Sequence, residues 1–418
     1  MKRALQAVRE QARQAFEASG IPTTRQEEWK YTDVKRAIAP FVDALSTDVS
    51  SKELSGEVHA DWLAAQMVPE QTHRLVFVDG EFSPALSNPG ALPEGVSVYA
   101  FSEADDVDLS LSEGPLVNGF THLNLAGFRD GAVIDVDAGV TMDTPLCLMF
   151  VDSGAGAVSH LRNRIRLQAA ASVQLIEQYI GVGNKSGFSN VVSDIELAEG
   201  AVCTHYKLQQ ESEKQLHIGR IHVRQGKDSS FTSHSMALGA ALSRTDLHVE
   251  LQGEGAACTL NGLYLTSNRQ HADHHTRVDH LVPHCTSREY YRGVLDGRSR
   301  AVFNGKVLVH DQAQKTDAKQ SNANLLLSEH AEVDTKPELE IYNDDVKCAH
   351  GATIGQIDMD QLFYLRSRGL SEVDARNVLT FAFADDVLMR MQLEVVRRHL
   401  EKAALERLPQ ADDIGALI

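Results

Sequence analysis

Two groups of side chains in this sequence have the chemistry of metal ligation. The first lies in Asp344-Asp345-Val346-Lys347-Cys348-Ala349-His350-Gly351-Ala352-Thr353. Cys348 and His350 stand two residues apart, so in an extended strand both project from one face. A thiolate and an imidazole there make half a site for a soft or borderline metal, which needs further ligands from elsewhere. Lys347 beside the thiol is expected to favour the thiolate, and Gly351 permits close approach of another backbone. A half-site of this kind points to an interface. The second group runs His271-Ala272-Asp273-His274-His275-Thr276-Arg277-Val278-Asp279-His280 and extends to His284-Cys285. Imidazole, carboxylate and thiolate bind Zn2+ or Fe2+, and Asp273, His275 and His280 are the candidate metal ligands. In a strand, Asp273 and His275 share a face and His274 takes the other. No strict ligand spacing organises the stretch. Its plainer reading is a strand surface on which neutral histidines hydrogen-bond their neighbours. Its sharper reading is a metal-dependent hydrolase or lyase using His271, Asp273, His275 and His280.

Other chemistries find no support. Gly181-Val182-Gly183-Asn184-Lys185-Ser186 lacks the glycine-to-lysine spacing of a phosphate-binding loop, and Gly305-Lys306 has no glycine at the required distance upstream. No nucleophile elbow or dinucleotide fingerprint occurs. Lys plus Arg is 40 against 58 Asp plus Glu, a net charge of −18. That sign argues against a nucleic-acid or anionic-membrane surface. The five cysteines, Cys147, Cys203, Cys258, Cys285 and Cys348, are an odd number and widely spaced, so a reducing cytoplasm is the expected compartment. No apolar run is long enough to span a membrane, and the first residues lack the apolar core of a signal peptide.

The elements that must carry these residues fall into three regions. Residues 1–125 read as a helical and mixed region. Leu5, Val8, Ala12, Ala15 and Phe16 have helical spacing, stopped by Gly20-Ile21-Pro22. Glu27-Glu28-Trp29-Lys30-Tyr31-Thr32 reads as a helix or turn that pins this arm, and Leu75-Val76-Phe77-Val78 as a strand. Residues 126–357 carry short alternating runs. Ile134-Asp135-Val136, Ile165-Arg166-Leu167, Ile195-Glu196-Leu197, Ile221-His222-Val223 and Val249-Glu250-Leu251 start 31, 30, 26 and 28 residues apart. Gly139, Gly200 and Gly226 fall five positions after the start of their units, and Gly255 six after its own, marking where the chain leaves the strand. A loose repeat of short strands suits a β-solenoid, with a sandwich or jelly roll as the alternative. Hairpin signals between the runs are almost absent. Residues 358–418 return to helical spacing. Asp358 caps a short helix stopped by Gly369, Ser371-Glu372-Val373-Asp374 resembles a capping box, and a longer helix carries Val387 through Leu405. The apolar content of this small domain requires a cover from the solenoid or a partner.

Several blocks in this order resemble the SufB/SufD family of iron–sulfur cluster assembly proteins. They are Glu27-Glu28-Trp29-Lys30-Tyr31-Thr32, Lys336-Pro337-Glu338-Leu339-Glu340-Ile341 with the Cys348-Ala349-His350-Gly351-Ala352-Thr353 block, and Tyr364-Leu365-Arg366-Ser367-Arg368-Gly369. The likeness is strongest over about residues 260–385 and nearer the SufD branch than the SufB branch. The resemblance implies a right-handed parallel β-helix core flanked by N-terminal and C-terminal α-helical domains. It implies a non-catalytic scaffold that pairs with a SufB-like homologue through the β-helix, or forms a homodimer in isolation. It also implies a SufC-like ABC ATPase on the C-terminal helices, where Tyr364, Arg366, Arg368 and Gly369 are the expected contacts. His350, with Cys348 as companion, then takes part in handling iron or an iron–sulfur cluster, bound transiently at the SufB interface. A reduced flavin has been associated with such complexes, although no flavin motif occurs here.

Overall fold

The computed structural model describes residues 2–42, 45, 58–69, 73–104, 114–155 and 158–408. Its centre is a parallel β-solenoid of about eight turns. Each coil gives one strand to a ten-stranded sheet, which ends on Lys347–Gly355, and one to a nine-stranded sheet, which ends on Glu332–Ile341. The alternation read from the sequence is the reason. Leu, Ile, Val and Phe at every second position fill the space between the sheets, and the intervening residues face outward. The expected β-solenoid is therefore the fold, and the alternative of a sandwich or jelly roll is not.

Register corrects one unit of the repeat. Ile195 pairs with Val223, and Val223 with Val249, so the separations are 31, 30, 28 and 26 residues from Ile134 onward. The unit aligned on Ile221 had slipped by two residues, which keeps every side chain on its face and so leaves no mark on the hydrophobic pattern. The turn residues show the same slip. One corner of successive coils holds Gly139, Ala170, Gly200, Asp228, Gly255, His284 and Lys315, all with φ between 53° and 77°. The residue in that corner is Asp228, whereas Gly226 is not left-handed and sits where a Cβ would meet Leu197 O at 3.0 Å. Six of these seven corner N–H groups donate to a carbonyl of the next coil, as in Ala170 N to Glu199 O (2.8 Å) and Asp228 N to Glu254 O (2.9 Å).

The first strands come from the N-terminal region. His73–Val78 joins the larger sheet in parallel and turns back through Asp79-Gly80, a hairpin with φ of 50° and 83°. The helix Lys2–Ser19 packs Ala12 against Leu125 and Phe128, and the helix Gly119–Gly127 lies on the nine-stranded sheet. The opposite, ten-stranded sheet is covered by C-terminal helices. Phe381, Val387, Leu388, Val396 and Leu400 pack with Tyr206, Met236, Leu263 and Val294 of the solenoid, each buried apolar side chain contributing roughly 1.5–3 kcal/mol. Asp358 and Ser371 cap as expected. The single long helix expected through Val387–Leu405 is two, Glu372–Leu388 and Glu394–Leu405. Between them the Leu393 N–H donates to the Tyr206 hydroxyl at 3.2 Å, a contact from the solenoid that local sequence does not announce. Among the described residues no helix is long and apolar enough to cross a membrane.

Candidate functional site

The solenoid ends on an uncovered coil. Glu332–Ile341 and Lys347–Gly355 are each paired on one side only, so their outer backbone edges are free. Register sets Cys348 beside Ala318 and His350 beside Gln320, both of which are buried. Cys348 and His350 thus continue the interior rows of the coil but meet no further coil. Cys348 is half-buried and His350 exposed, and the imidazole has no hydrogen-bond partner among the described residues. The other four cysteines are buried, and burial pushes the Cys203 thiol up to about 12. Cys348 is the accessible thiol. Burial raises it above its ordinary value too, the Ala318 N–H opposing the rise and Asp317 adding to it. The expectation that Lys347 favours the thiolate is therefore corrected. Adjacent residues in a strand point to opposite faces, and Lys347 faces away from the sulfur.

The histidine-rich stretch is the strand His271–His280, and the structure brings Asp273 and His275 together, His275 Nε2 lying 3.0 Å from Asp273 Oδ1, but not His280. Asp273 and His275 project outward, while His280 projects inward to Ser287 Oγ at 2.9 Å. Burial drives the interior imidazoles down, His274 to about 3 and His280 to about 4. The outward pair is occupied by other residues of the chain. Arg244 Nη1 donates to Asp273 Oδ2 (2.8 Å) and to the Glu28 carbonyl (2.7 Å), and Arg244 Nη2 reaches Asp246 Oδ1 (2.8 Å). Thr32 Oγ1 donates to Asp273 Oδ2 at 2.6 Å, and His275 lies 3.2 Å from Glu28 Oε2. The Trp29 ring covers the Arg244 guanidinium at 3.8 Å. The Glu27–Thr32 block and the histidine strand are two halves of one clamp holding the N-terminal arm on the solenoid. Burial disfavours the Asp273 carboxylate, but Arg244 and His275 outweigh it and hold the acid well below the usual carboxylate range.

The C-terminal candidates lie on the first helix after the solenoid, Met359–Ser367. Tyr364 is exposed, with Arg368 Nη2 on its hydroxyl at 3.1 Å, and Arg366 reaches Glu372 at 3.5 Å. Gly369 ends the helix at φ 99°. Met359 and Phe363 beside them are 64% and 74% exposed, an apolar surface left open to solvent. The sequence reading missed a third group of ligand-type residues, His222, His248 and Glu250. The signal was present: the true 26-residue offset puts the two histidines side by side.

Residues 150–383 match the family model described as the SUF system FeS cluster assembly SufBD core domain, and residues 1–148 match the SufBD protein N-terminal region. The chain belongs to the SufBD family. It is 34% identical to the iron–sulfur cluster assembly protein SufD of Escherichia coli over 396 residues, covering 94% of this chain and 90% of that protein. It is 35% identical to an iron–sulfur cluster assembly SufBD family protein of Synechocystis, covering 91% and 86%. The SufD protein of Bacillus subtilis is 24% identical over 93% of this chain and 91% of its own length. The SufBD core match takes in the coil end at Cys348 and His350, the histidine strand and the exposed Met359–Ser367 helix.

Proposed function

We propose that this SufBD-family chain is a non-catalytic scaffold subunit of iron–sulfur cluster assembly. A SufB-like partner docks on the open end of the solenoid, and iron or a growing cluster is held between the two as cargo. The observation that carries this reading is the terminal coil, where two free sheet edges flank Cys348 and His350. Free strand edges pair with another chain by backbone hydrogen bonds. A thiol and an imidazole on one face offer soft and borderline donors, and a partner's side chains complete the coordination. Coordination of iron displaces the Cys348 proton, so cargo binding strengthens as pH rises. The exposed face around Met359, Phe363 and Tyr364 supports docking of a SufC-like ATPase, whose motion would reach the solenoid through the helices packed on it.

The test is His350→Ala in the chain co-expressed with SufB-like and SufC-like partners. Complex recovery stays at the wild-type level while cluster content falls at least tenfold. Wild-type cluster content in that variant removes His350 from the function.

A further inference from the structure

The outer face of the nine-stranded sheet carries a compact ligand group that cluster assembly at the coil end does not use. Register places His222 of Leu216–Gln225 directly beside His248 of Leu242–Leu251. Glu250 follows two residues after His248 on the same face. The imidazoles stack with centroids 4.9 Å apart and planes 8° from parallel. One donor atom from each of the three residues lies within 4.8 Å of the other two.

His248 provides the decisive geometry. Its Nε2 stands 3.0 Å from Asp279 Oδ2, so Nε2 carries the proton and donates it to the carboxylate. In the neutral ring that leaves a bare lone pair on Nδ1. This atom has no hydrogen-bond partner, on a side chain only 1% exposed, and faces Glu250 Oε1 at 3.8 Å. A lone pair and a carboxylate oxygen repel one another across such a gap, which is too long for a hydrogen bond, and a buried site does not screen them. A dication between them converts the repulsion into two bonds. Metal–donor bonds of about 2.0–2.2 Å put neighbouring donors roughly 3–4 Å apart.

His222 supplies the third donor. Its Nε2 is 2.9 Å from Glu250 Oε1. Burial lowers the His222 imidazole, with the hydrogen bond to Glu250 opposing and the Arg220 guanidinium adding to the fall. In the metal-free protein Arg224 Nη1 donates to its Nδ1 at 3.1 Å, and Arg224 also pairs with Glu196. Ligation through Nε2 moves the ring proton to Nδ1, so Arg224 gives up that atom and keeps Glu196; Asp194 Oδ1 faces the new N–H at 3.8 Å and must close by about half an ångström to accept it. Carboxylates behind ligating histidines are the usual support of such centres, and Asp279 stands in that position behind His248.

We propose that His222, His248 and Glu250 bind a first-row divalent transition metal, Zn2+ or Fe2+, with water in its open positions. Two imidazoles and one carboxylate are a donor set suited to these ions. The site does not depend on the Cys348 and His350 reading. It lies on the outer face of the other sheet, on the strands three and four in from that sheet's last strand.

The experiment titrates the chelator-stripped full-length protein with Co2+, followed by its visible absorption, and then displaces Co2+ with Zn2+. The wild type takes up one saturable equivalent at this site. Glu250→Gln and His248→Gln each weaken it at least tenfold, with unchanged far-ultraviolet circular dichroism, and His350→Ala leaves it intact. Wild-type binding in Glu250→Gln overturns the proposal, as does the absence of saturable binding. Loss of that equivalent in His350→Ala overturns it by assigning the metal to the coil end. Imidazole nitrogen spectra of the metal-free protein give a further check. A doubly protonated His248 would fill the gap with a proton alone and overturn the argument.

Discussion

Arg244 joins the solenoid to the N-terminal arm through several buried contacts, and its replacement measures how that arm is held. Arg244→Gln removes two buried ion pairs, to Asp246 and Asp273, together with the bond to the Glu28 carbonyl and the stack on Trp29. Stranding one buried charge costs roughly 3–5 kcal/mol. The two carboxylates are not stranded equally. Asp273 keeps Thr32 and His275, whereas Asp246 keeps only Asn118 Nδ2 at 3.3 Å. The loss is therefore about one buried pair, roughly 4 kcal/mol at pH 7. Urea unfolding read by tryptophan fluorescence suits the measurement, because Trp29 is one of two tryptophans and lies on the guanidinium. Adding Asp246→Asn to the variant should restore about 2 kcal/mol by removing the stranded charge. Burial already raises Asp246 above its ordinary value with Arg244 present. Without Arg244 the acid rises further, so the variant's deficit is full at neutral pH and shrinks as pH falls and Asp246 takes up its proton. A loss below about 1 kcal/mol, the range of an exposed pair, would refute this account, and so would a deficit that Asp246→Asn leaves unchanged.

Three further expectations follow from named side chains. Native protein should yield one fast-reacting thiol, Cys348, against five after denaturation, and its alkylation rate should climb above pH 9 because burial raises this thiol; fast labelling of a second cysteine would contradict the burial. Glu289 sits inside the solenoid and burial lifts it from about 4.5 to about 7. The folded state therefore holds the proton more tightly, and its destabilising effect is absent below pH 4.5 and grows until pH 7. Glu289→Gln should gain about 3 kcal/mol on wild type between pH 4 and pH 8 in urea unfolding, against a flat difference if the carboxyl is freely solvated. Phe363→Asp changes a residue 74% exposed, so folding stability should move by less than about 0.5 kcal/mol, while affinity for a SufC-like ATPase in a pull-down or titration falls roughly tenfold or more. Undiminished affinity would remove this face from the interface.

The solenoid was legible because its requirement is periodic. One apolar residue in two, repeated per coil, is all that two facing sheets demand, and Ile134, Ile165 and Ile195 supply it. The two-residue slip at Ile221 is invisible for the same reason, since it preserves that pattern. The coil corners were harder to read because left-handed φ is imposed by stacking, so Ala170, Asp228 and Lys315 occupy it as well as glycine. The spacing of Cys348 and His350 gave their shared face correctly, but not the protonation of the thiol, which depends on neighbours such as Asp317 across the strand pair. The histidine strand looked like chemistry because its partners are remote in sequence. Thr32 and Glu28 reach Asp273 and His275 across 241 and 247 residues, and no local pattern records such a meeting.

That same separation orders events during synthesis. The arm bearing Trp29 leaves the ribosome early, but its seat on Arg244 and Asp273 does not exist until the coil 241 residues later has emerged. At about 5–20 residues per second the wait is roughly 12–48 s. Throughout it the coils below can stack one upon another while the arm stays undocked, with an indole and a threonine hydroxyl waiting for partners not yet made. The arm thus settles only after the coils up to Asp273 have been made, and closing the clamp reports that the middle of the solenoid has already been built.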